Sequence, residues 1–312
     1  MPGAARLPDG SPRALLPVPG ALHVLDVPAV RRWALLTRSV FAARRVEIDA
    51  LNVFPVPDGD TGTNLFLTFD GAVERMLAHD PHDAGDLLTA FAKALLWTAR
   101  GNSGVILSQL ARGLAEACAD AAVVDGPLLA QGLVHAEQRG RQAVTDPQEG
   151  TILSVASAMA TAATEAAAAE GPPEARLYAV SLAALEAARV ALERTPQQLE
   201  VLARAGVVDA GGAGLVILLE CLERICSGQR GRPSGDDPSG RRGRWPRELR
   251  WARTRRGRRG PGPPCGRARP GRRCRRRRRP APRPLRRAGC RRRWAARRHQ
   301  PRRWRAGRGS RR

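Results

Sequence analysis

The sequence lacks the residues and segments that several common functions require. Its only lysine, Lys93, lies in a helical pattern and not in a Gly-x-x-x-x-Gly-Lys-Ser/Thr loop, which excludes a P-loop nucleotide-binding protein. No stretch reaches the roughly 18–20 uncharged apolar residues that a membrane span needs. Residues 1–20 are rich in proline and glycine and lack the apolar core of a secretion signal. We therefore expect a cytoplasmic protein without a transmembrane helix.

Cysteine spacing gives no support for a metal site or a disulfide framework. Cys221 and Cys226 are five residues apart at the end of an apolar helical pattern, and no Cys-x-x-Cys pair occurs among Cys265, Cys274 and Cys290. Zinc sites and disulfide scaffolds both need more regular spacing than this. The sequence predicts buried or incidental thiols.

Acidic and aliphatic residues are scarce in the C-terminal part of the chain. Residues 229–312 contain 35 arginines and three acidic residues, for a net charge of +32, whereas residues 1–228 contain 18 basic and 26 acidic residues, for a net charge of −8. In the C-terminal part, Leu249 and Leu285 are the only members of the Leu/Ile/Val/Phe set. Ordering each residue costs about 1–2 kcal/mol, which only apolar burial can offset, so this part cannot form its own core.

The C-terminal part, residues 228–312, is predicted to be disordered, and we interpret it as the product of a frameshift. Arg, Pro, Gly, Ala, Trp and Cys dominate it, and most of these are encoded by GC-rich triplets, as expected of a GC-rich gene translated out of frame. The alternative is an arginine-rich arm that binds RNA or anionic lipid through phosphate charge. No specific nucleic-acid partner is predicted in either case. Resequencing codons 220–240 distinguishes the two interpretations.

Residues 22–227 show the apolar spacing of an all-α domain, and residues 1–21 before it are predicted to be disordered. The first helical pattern covers residues 26–50, with Asp26 placed to cap it. Two prolines, Pro55 and Pro57, then predict a stiff extended loop. Further helical patterns occur at 65–77, 85–99, 103–120, 127–143, 151–169, 173–193, 196–204 and 212–227. Alternating β-branched runs are absent, so the sequence predicts about eight helices.

Glycine clusters are predicted to lie between these helices, each at a helix N-terminus. They occur at residues 61–64, 100–104, 149–151 and 209–214. The first four N–H groups of a helix lack intrahelical partners and carry partial positive charge, which suits an anion. One cluster alone is a good cap, whereas four in one domain indicate an anion-binding site.

The segment Asp58-Gly59-Asp60 is a cluster of hard oxygen ligands in the proline-stiffened loop. Magnesium binds through one or two carboxylates and completes its octahedron with water and substrate phosphates. The alternative is an Asx-turn and a helix N-cap without a ligand. An EF-hand is excluded, because its twelfth position, counted from Asp58, is Phe69 where the pattern requires glutamate.

The segment from Leu51 to Asn64 (LNVFPVPDGDTGTN) resembles the signature of the DhaL-type, dihydroxyacetone kinase-like ATP-binding domain. More narrowly, it resembles the N-terminal domain of the bacterial fatty acid kinase (FakA, YloV-like) family. Residues 99–109, 149–153 and 206–214 agree with the same pattern in order and spacing. The resemblance covers about residues 22–227.

This resemblance implies a barrel of about eight antiparallel helices that holds ATP at one end through two Mg²⁺ ions. It assigns Asp58 and Asp60 as metal ligands, and it leaves Asn52 or Asp49 as the third. It implies no catalytic side chain. The implied nucleotide contacts are Thr61, Gly62, Thr63, Asn64, Asn102, Ser103, Gly104, Thr151, Asp209, Gly211 and Gly212.

The resemblance further implies phosphoryl transfer from ATP to a fatty acid carboxylate held by a separate binding protein. Such a carboxylate is already ionised and needs no general base. The region of the full-length family that docks this partner is missing from this sequence, and the full-length family also suggests a homodimer. Two alternatives remain open: glycerone (dihydroxyacetone) kinase activity, and a truncated nucleotide-binding fragment without turnover.

Overall fold

The computed structural model describes residues 17–228, and this part of the chain contains nine α-helices and no β-strand. The helices are α1 (Val27–Asp49), α2 (Thr61–Leu77), α3 (Ala84–Thr98), α4 (Gly101–Ala117), α5 (Gly126–Gln142), α6 (Ile152–Ala168), α7 (Pro173–Gln198), α8 (Glu200–Ala205) and α9 (Ala210–Cys226). Each long helix packs against the next, and α9 packs against both α7 and α1. Eight long helices therefore close into a ring, which confirms the predicted all-α barrel.

Aspartates cap several of these helices. The Asp26 carboxylate accepts a hydrogen bond from Ala29 N at 2.8 Å, as predicted, and Pro28 lies in the first turn of α1. Asp83 and Asp125 cap α3 and α5 in the same way. Capping by a side-chain oxygen satisfies N–H groups that have no partner within the helix, and it fixes where each helix begins.

The glycine clusters lie at helix N-termini, as predicted, but the prediction that they lie between the helices was wrong, because three of the four extend into the first turn of a helix. Helices α2, α4 and α9 begin at Thr61, Gly101 and Ala210, earlier than the spacing indicated. Close packing between helices explains why glycine occurs at these positions. A Cβ on Gly62 would lie 2.2 Å from Arg45 O, so only glycine lets α2 pack this closely against α1.

The predicted break after residue 193 was also misplaced. Helix α7 continues through Pro196 to Gln198, and the short helix α8 follows only at Glu200. The Thr195 side chain donates to Leu192 O, and its backbone carbonyl accepts from Leu199 N. Proline breaks a helix by removing one N–H donor, and here that loss falls in the last turn of α7, where the helix ends.

The centre of the barrel is apolar. Phe69 makes edge-to-face contacts with Trp33, Phe41 and Phe91, with ring centroids 5.3–6.1 Å apart. A cavity of about 100 Å³, lined by apolar residues, remains beside this cluster.

Cys118, Cys221 and Cys226 are buried free thiols, which confirms the prediction of buried thiols for these three cysteines. Burial raises their pKa values to about 11, 11 and 12.

The two ends of the described segment meet. Leu22 N donates to Cys226 O at 2.8 Å, and residues 17–21, which we expected to be disordered, contain a turn closed by a bond from Ala21 N to Val18 O. The predictions for residues 1–16 and 229–312, including the frameshift, lie outside the described residues. No helix within residues 17–228 is long and apolar enough to cross a membrane.

Candidate functional site

The loop between α1 and α2 presents two carboxylates without partners. Asp58 and Asp60 are exposed, and Gly59 between them has a φ of 68°, a conformation that side chains other than glycine rarely adopt. Within the described residues, neither carboxylate makes a hydrogen bond or an ion pair. Two like charges this close in sequence, without a protein cation to balance them, suit a divalent cation.

Asn52 and Asp49 hold this loop and the start of α2. Asn52 Oδ1 accepts from Asp60 N at 3.2 Å, Thr61 N at 3.0 Å and Thr61 Oγ1 at 2.7 Å, while Asn52 Nδ2 donates to Val56 O at 2.9 Å. Asp49 accepts from the backbone N and from the hydroxyl of Thr63, both at 2.8 Å. Both residues therefore already have bonding partners, and their assignment as third metal ligand stays a prediction.

The glycine-rich helix starts at α6 and α9 each have a side-chain cap. Thr151 accepts from Leu153 N, and the Asp209 carboxylate accepts from Gly212 N at 2.6 Å, while the Ile152 N–H lowers the pKa of the same carboxylate. Asp209 thus caps α9 and lies beside the start of α6. Because these N–H groups already have acceptors, they are less available to a ligand.

The N-terminus of α4 differs, because it has no side-chain cap. Its N-cap residue is Arg100, and the N–H groups of Gly101, Asn102 and Ser103 have no acceptor within the described part of the chain. Gly101 lies against Asn64 of α2, since a Cβ there would be 2.5 Å from Asn64 Nδ2. Three free donors at the positive end of a helix are suited to a phosphate group.

A cleft of about 460 Å³ opens beside this N-terminus. Six of the predicted nucleotide contacts line it: Thr61, Asn102, Ser103, Thr151, Asp209 and Gly211. The remaining predicted site residues do not line the cleft. Gly62 packs on α1, Thr63 bonds to Asp49, and Asn64 lies against Gly101. Gly104 lies against Thr68, Gly212 bonds to Asp209, and Asp58 and Asp60 are exposed in the loop. The structure thus brings four distant sequence segments to one cleft.

Sequence reasoning missed one wall of the cleft. The loop after α5 contributes residues 143–146 and Gln148, and Gln148 Nε2 donates to Asp146 Oδ2 at 2.8 Å. Phe54 and Pro55, joined by a cis peptide bond, add an apolar edge together with Ile106. The loop after α5 carries no recognisable motif, so only the fold could place it here.

Asp209 is an unusual carboxyl group because it is buried at the cleft. Desolvation raises its pKa to about 6, while the hydrogen bonds from Gly212 N and Ile152 N act in the opposite direction. Its backbone N donates to Thr195 Oγ1 at 3.1 Å, which ties the start of α9 to the end of α7.

The available ligands fit magnesium better than a metal held by protein alone. No group of three or more His, Cys, Asp or Glu side chains among the described residues could hold a metal ion. Magnesium keeps several waters and commonly binds through one or two carboxylates together with substrate phosphates. The exposed pair Asp58 and Asp60, in the loop that leads to the cleft residue Thr61, supplies the carboxylates for such a shared site.

Comparison with known proteins gives a consistent match over this domain. The family model of the DAK2 domain matches residues 55–224, more than half of the chain. Protein YloV of Bacillus subtilis (strain 168) is 43% identical over 173 residues, which cover 55% of this chain and 31% of YloV. An uncharacterized protein, SAB1090, of Staphylococcus aureus (strain bovine RF122 / ET3-1) is 41% identical over 184 residues, 59% of this chain and 33% of that protein. The chain thus matches about a third of the length of these relatives.

Solved structures also show some similarity. The native dihydroxyacetone kinase of C. freundii matches with a TM-score of 0.46 and 18% identity, over 72% of this chain and 38% of that one. The same kinase in complex with AMP-PNP and Mg²⁺ matches with the same score and identity, over 69% of this chain and 37% of that one.

Proposed function

The chain belongs to the DAK2 domain family, and on this basis we propose that its helical barrel is the nucleotide-binding domain of a kinase that binds ATP with magnesium. The observation that carries the proposal is the uncapped N-terminus of α4 at a cleft that is also lined by Thr61, the residue that directly follows the loop with the two unpaired carboxylates. The free N–H groups of Gly101, Asn102 and Ser103 suit phosphate oxygens, and Asp58 and Asp60 suit the cation that accompanies them.

The described residues would position the nucleotide and neutralise its charge, and little covalent chemistry is required of them. Phosphoryl transfer depends on alignment and on stabilising charge on the transferred group. Magnesium held by Asp58 and Asp60 would balance the charge of the phosphate oxygens. The α4 N–H groups would donate to the same phosphates, and the apolar edge at Phe54, Pro55 and Ile106 would exclude water from the cleft.

For the acceptor, we propose a fatty acid carboxylate presented by a separate binding protein. Transfer of the γ-phosphoryl group to a carboxylate oxygen yields an acyl phosphate and ADP. The carboxylate is ionised at neutral pH, so it needs no base, and we assign no side chain of the cleft to that role. The match covers about a third of the length of these relatives, so nucleotide binding and acyl transfer are tested separately.

Titration calorimetry of the full chain with ADP and Mg²⁺ tests the nucleotide site. We expect binding that disappears on chelation and weakens at least about tenfold in the double variant Asp58→Asn/Asp60→Asn. Asp120→Asn, an exposed carboxylate after α4, is the matched control and should bind as the wild type. If arginines of residues 229–312 bound the phosphates instead, the measured affinity would fall with added salt but would not change in the loop variants. Absent binding, or binding unchanged in the double variant, would refute the nucleotide site.

A coupled ATP assay tests the acceptor. Acyl-loaded binding protein and dihydroxyacetone are offered in parallel with buffer alone. Consumption of ATP with the acyl-loaded protein supports the fatty acid carboxylate, and consumption only with dihydroxyacetone supports the glycerone kinase alternative. Nucleotide binding without consumption in any arm identifies this chain as a fragment without turnover.

A further inference from the structure

Asp60 occupies the N-cap position of α2 but does not cap it. An aspartate at this position normally accepts a hydrogen bond from an N–H group of the first turn. Here the Asp60 side chain makes no capping bond, although Asp26, Asp83, Asp125 and Asp209 all cap their helices in the same molecule. Something else must satisfy the first turn of α2.

Two residues outside α2 satisfy it. Asn52 Oδ1 accepts from the N–H groups of Asp60 and Thr61 and from the Thr61 hydroxyl. Asp49, the last residue of α1, accepts from both the N–H and the hydroxyl of Thr63. The carboxylate that stabilises the positive end of α2 therefore comes from the preceding helix, and Asp60 is left free.

The bonding of Asn52 argues against a role as a metal ligand. A carbonyl oxygen has two lone pairs, and Asn52 Oδ1 already accepts from three donors while the residue is 7% exposed. Its Nδ2 donates to Val56 O, in the middle of the loop. This bond fixes the orientation of the amide and ties the middle of the loop to Asn52, while Oδ1 ties the end of the loop, so coordination of a metal by Oδ1 would require these bonds to break.

We propose that Asn52 and Asp49 are positioning residues, which cap α2 in place of Asp60 and so keep the Asp60 carboxylate available for a divalent cation. The inference rests on the proposed magnesium–nucleotide site, and it separates the metal ligands of that site from the residues that position them. Asp58 and Asp60 bind the cation, whereas Asn52 and Asp49 hold the loop and do not contact the cation.

The variants of Asp49 separate a positioning residue from a ligand. In Asp49→Asn, Oδ1 still accepts from Thr63 N and Nδ2 can donate to the Thr63 hydroxyl, so Mg²⁺-dependent ADP affinity should stay within about threefold of the wild type. In Asp49→Ala the cap is lost and Asp60 is free to replace it, so the affinity should fall about tenfold or more. A metal ligand would lose affinity in both variants. Rescue by asparagine is therefore the expected signature.

The Asn52→Asp variant applies the converse test. Aspartate keeps the acceptor oxygen but cannot donate to Val56 O, so a positioning residue should lose both thermal stability and Mg²⁺-dependent affinity. A metal ligand should keep or increase its affinity for Mg²⁺ when the amide becomes a carboxylate.

Melting curves of the full chain in EDTA without nucleotide provide the second measurement. Asp49→Ala and Asn52→Asp should melt below the wild type, whereas Asp60→Asn should melt at or above it yet lose Mg²⁺-dependent ADP binding. If the wild type binds no Mg²⁺–ADP, the proposed function and this inference both fail. If the wild type binds but Asp49→Asn is as damaging as Asp60→Asn, or Asn52→Asp binds Mg²⁺ as well as the wild type, only the positioning role is overturned.

Discussion

The Thr68 hydroxyl of α2 accepts a hydrogen bond from the backbone N–H of Arg100 at 3.0 Å. Arg100 is the N-cap residue of α4, so this bond fixes the start of the uncapped helix against its neighbour. Thr68 is fully buried, and the bond joins residues 32 positions apart. The free N–H groups of α4 thus have their position set by a side chain on another helix.

Replacing Thr68 by valine should destabilise the fold and weaken nucleotide binding. Valine keeps the shape but leaves the Arg100 N–H without its acceptor, and the loss of such a partly buried hydrogen bond costs about 0.5–1.5 kcal/mol. Chemical denaturation measures the free energy of unfolding, and calorimetry with Mg²⁺–ADP measures the binding. Thr161→Val, at an exposed position of α6, is the control and should change neither. Equal stability of the two variants would contradict the role of the Thr68 bond.

Two glycines at the packing of α4 and α5 should respond differently to alanine. A Cβ on Gly113 would lie 2.2 Å from His135 O and 2.6 Å from Ala136 N, both backbone atoms of α5. A Cβ on Gly132 would meet the end of the Leu114 side chain, which can move away. Alanine is otherwise favoured over glycine within a helix by about 1 kcal/mol.

We therefore expect Gly113→Ala to lower the free energy of unfolding by about 1–3 kcal/mol, since the backbones must separate. Gly132→Ala should be near neutral. Thermal and urea denaturation of both variants check this order, and a stable Gly113→Ala protein would show that α4 and α5 are not this close.

Asp209 should make stability depend on pH in a defined direction. Its folded pKa of about 6 lies above the ordinary value of 3.8. Between these values the folded protein keeps the proton that the unfolded chain has released, so the contribution of Asp209 to the free energy of unfolding falls as the pH rises. A shift of about two pKa units corresponds to at most about 3 kcal/mol.

The Asp209→Asn variant isolates this contribution. The free energy of unfolding of the wild type minus that of the variant should fall between about pH 4 and about pH 6 and be constant above. Urea denaturation at closely spaced pH values measures the difference, in which the other titrating groups cancel. A flat difference, or one that rises with pH, would show that Asp209 is not protonated in this range.

Phe69 should contribute more to stability than the neighbouring Phe66 on the same helix. Phe69 is fully buried and meets three aromatic rings edge to face, and each such pair contributes about 0.5–1.5 kcal/mol beyond area burial. Phe66 is half-buried and has Arg45 over its ring at 5.7 Å. Phe69→Leu should cost about 2 kcal/mol and Phe66→Leu less than half of that, measured by denaturation. A reversed order would contradict the aromatic cluster.

The sequence by itself determined the helical fold class, the approximate helices, the change of composition near residue 228 and the family. These depend on local information: the apolar spacing predicted α1 and its cap at Asp26, and a fourteen-residue motif identified the loop with Asp58 and Asp60. Periodicity and capping act within a few residues, so they can be predicted without the fold.

The tertiary structure decided which of these residues are free to bind. Four glycine-rich helix starts look alike in the sequence, but only packing shows that Asn52 and Asp49 hold the start of α2, that Asp209 lies at the starts of both α6 and α9, and that the described residues give the α4 N-terminus no side-chain cap. Apart from the local cap that Asp209 forms with Gly212 N, these contacts join groups whose separation in the sequence carries no signal. The availability of a donor or a carboxylate depends on partners brought together by the closed ring of helices, and that is why only the structure could show it.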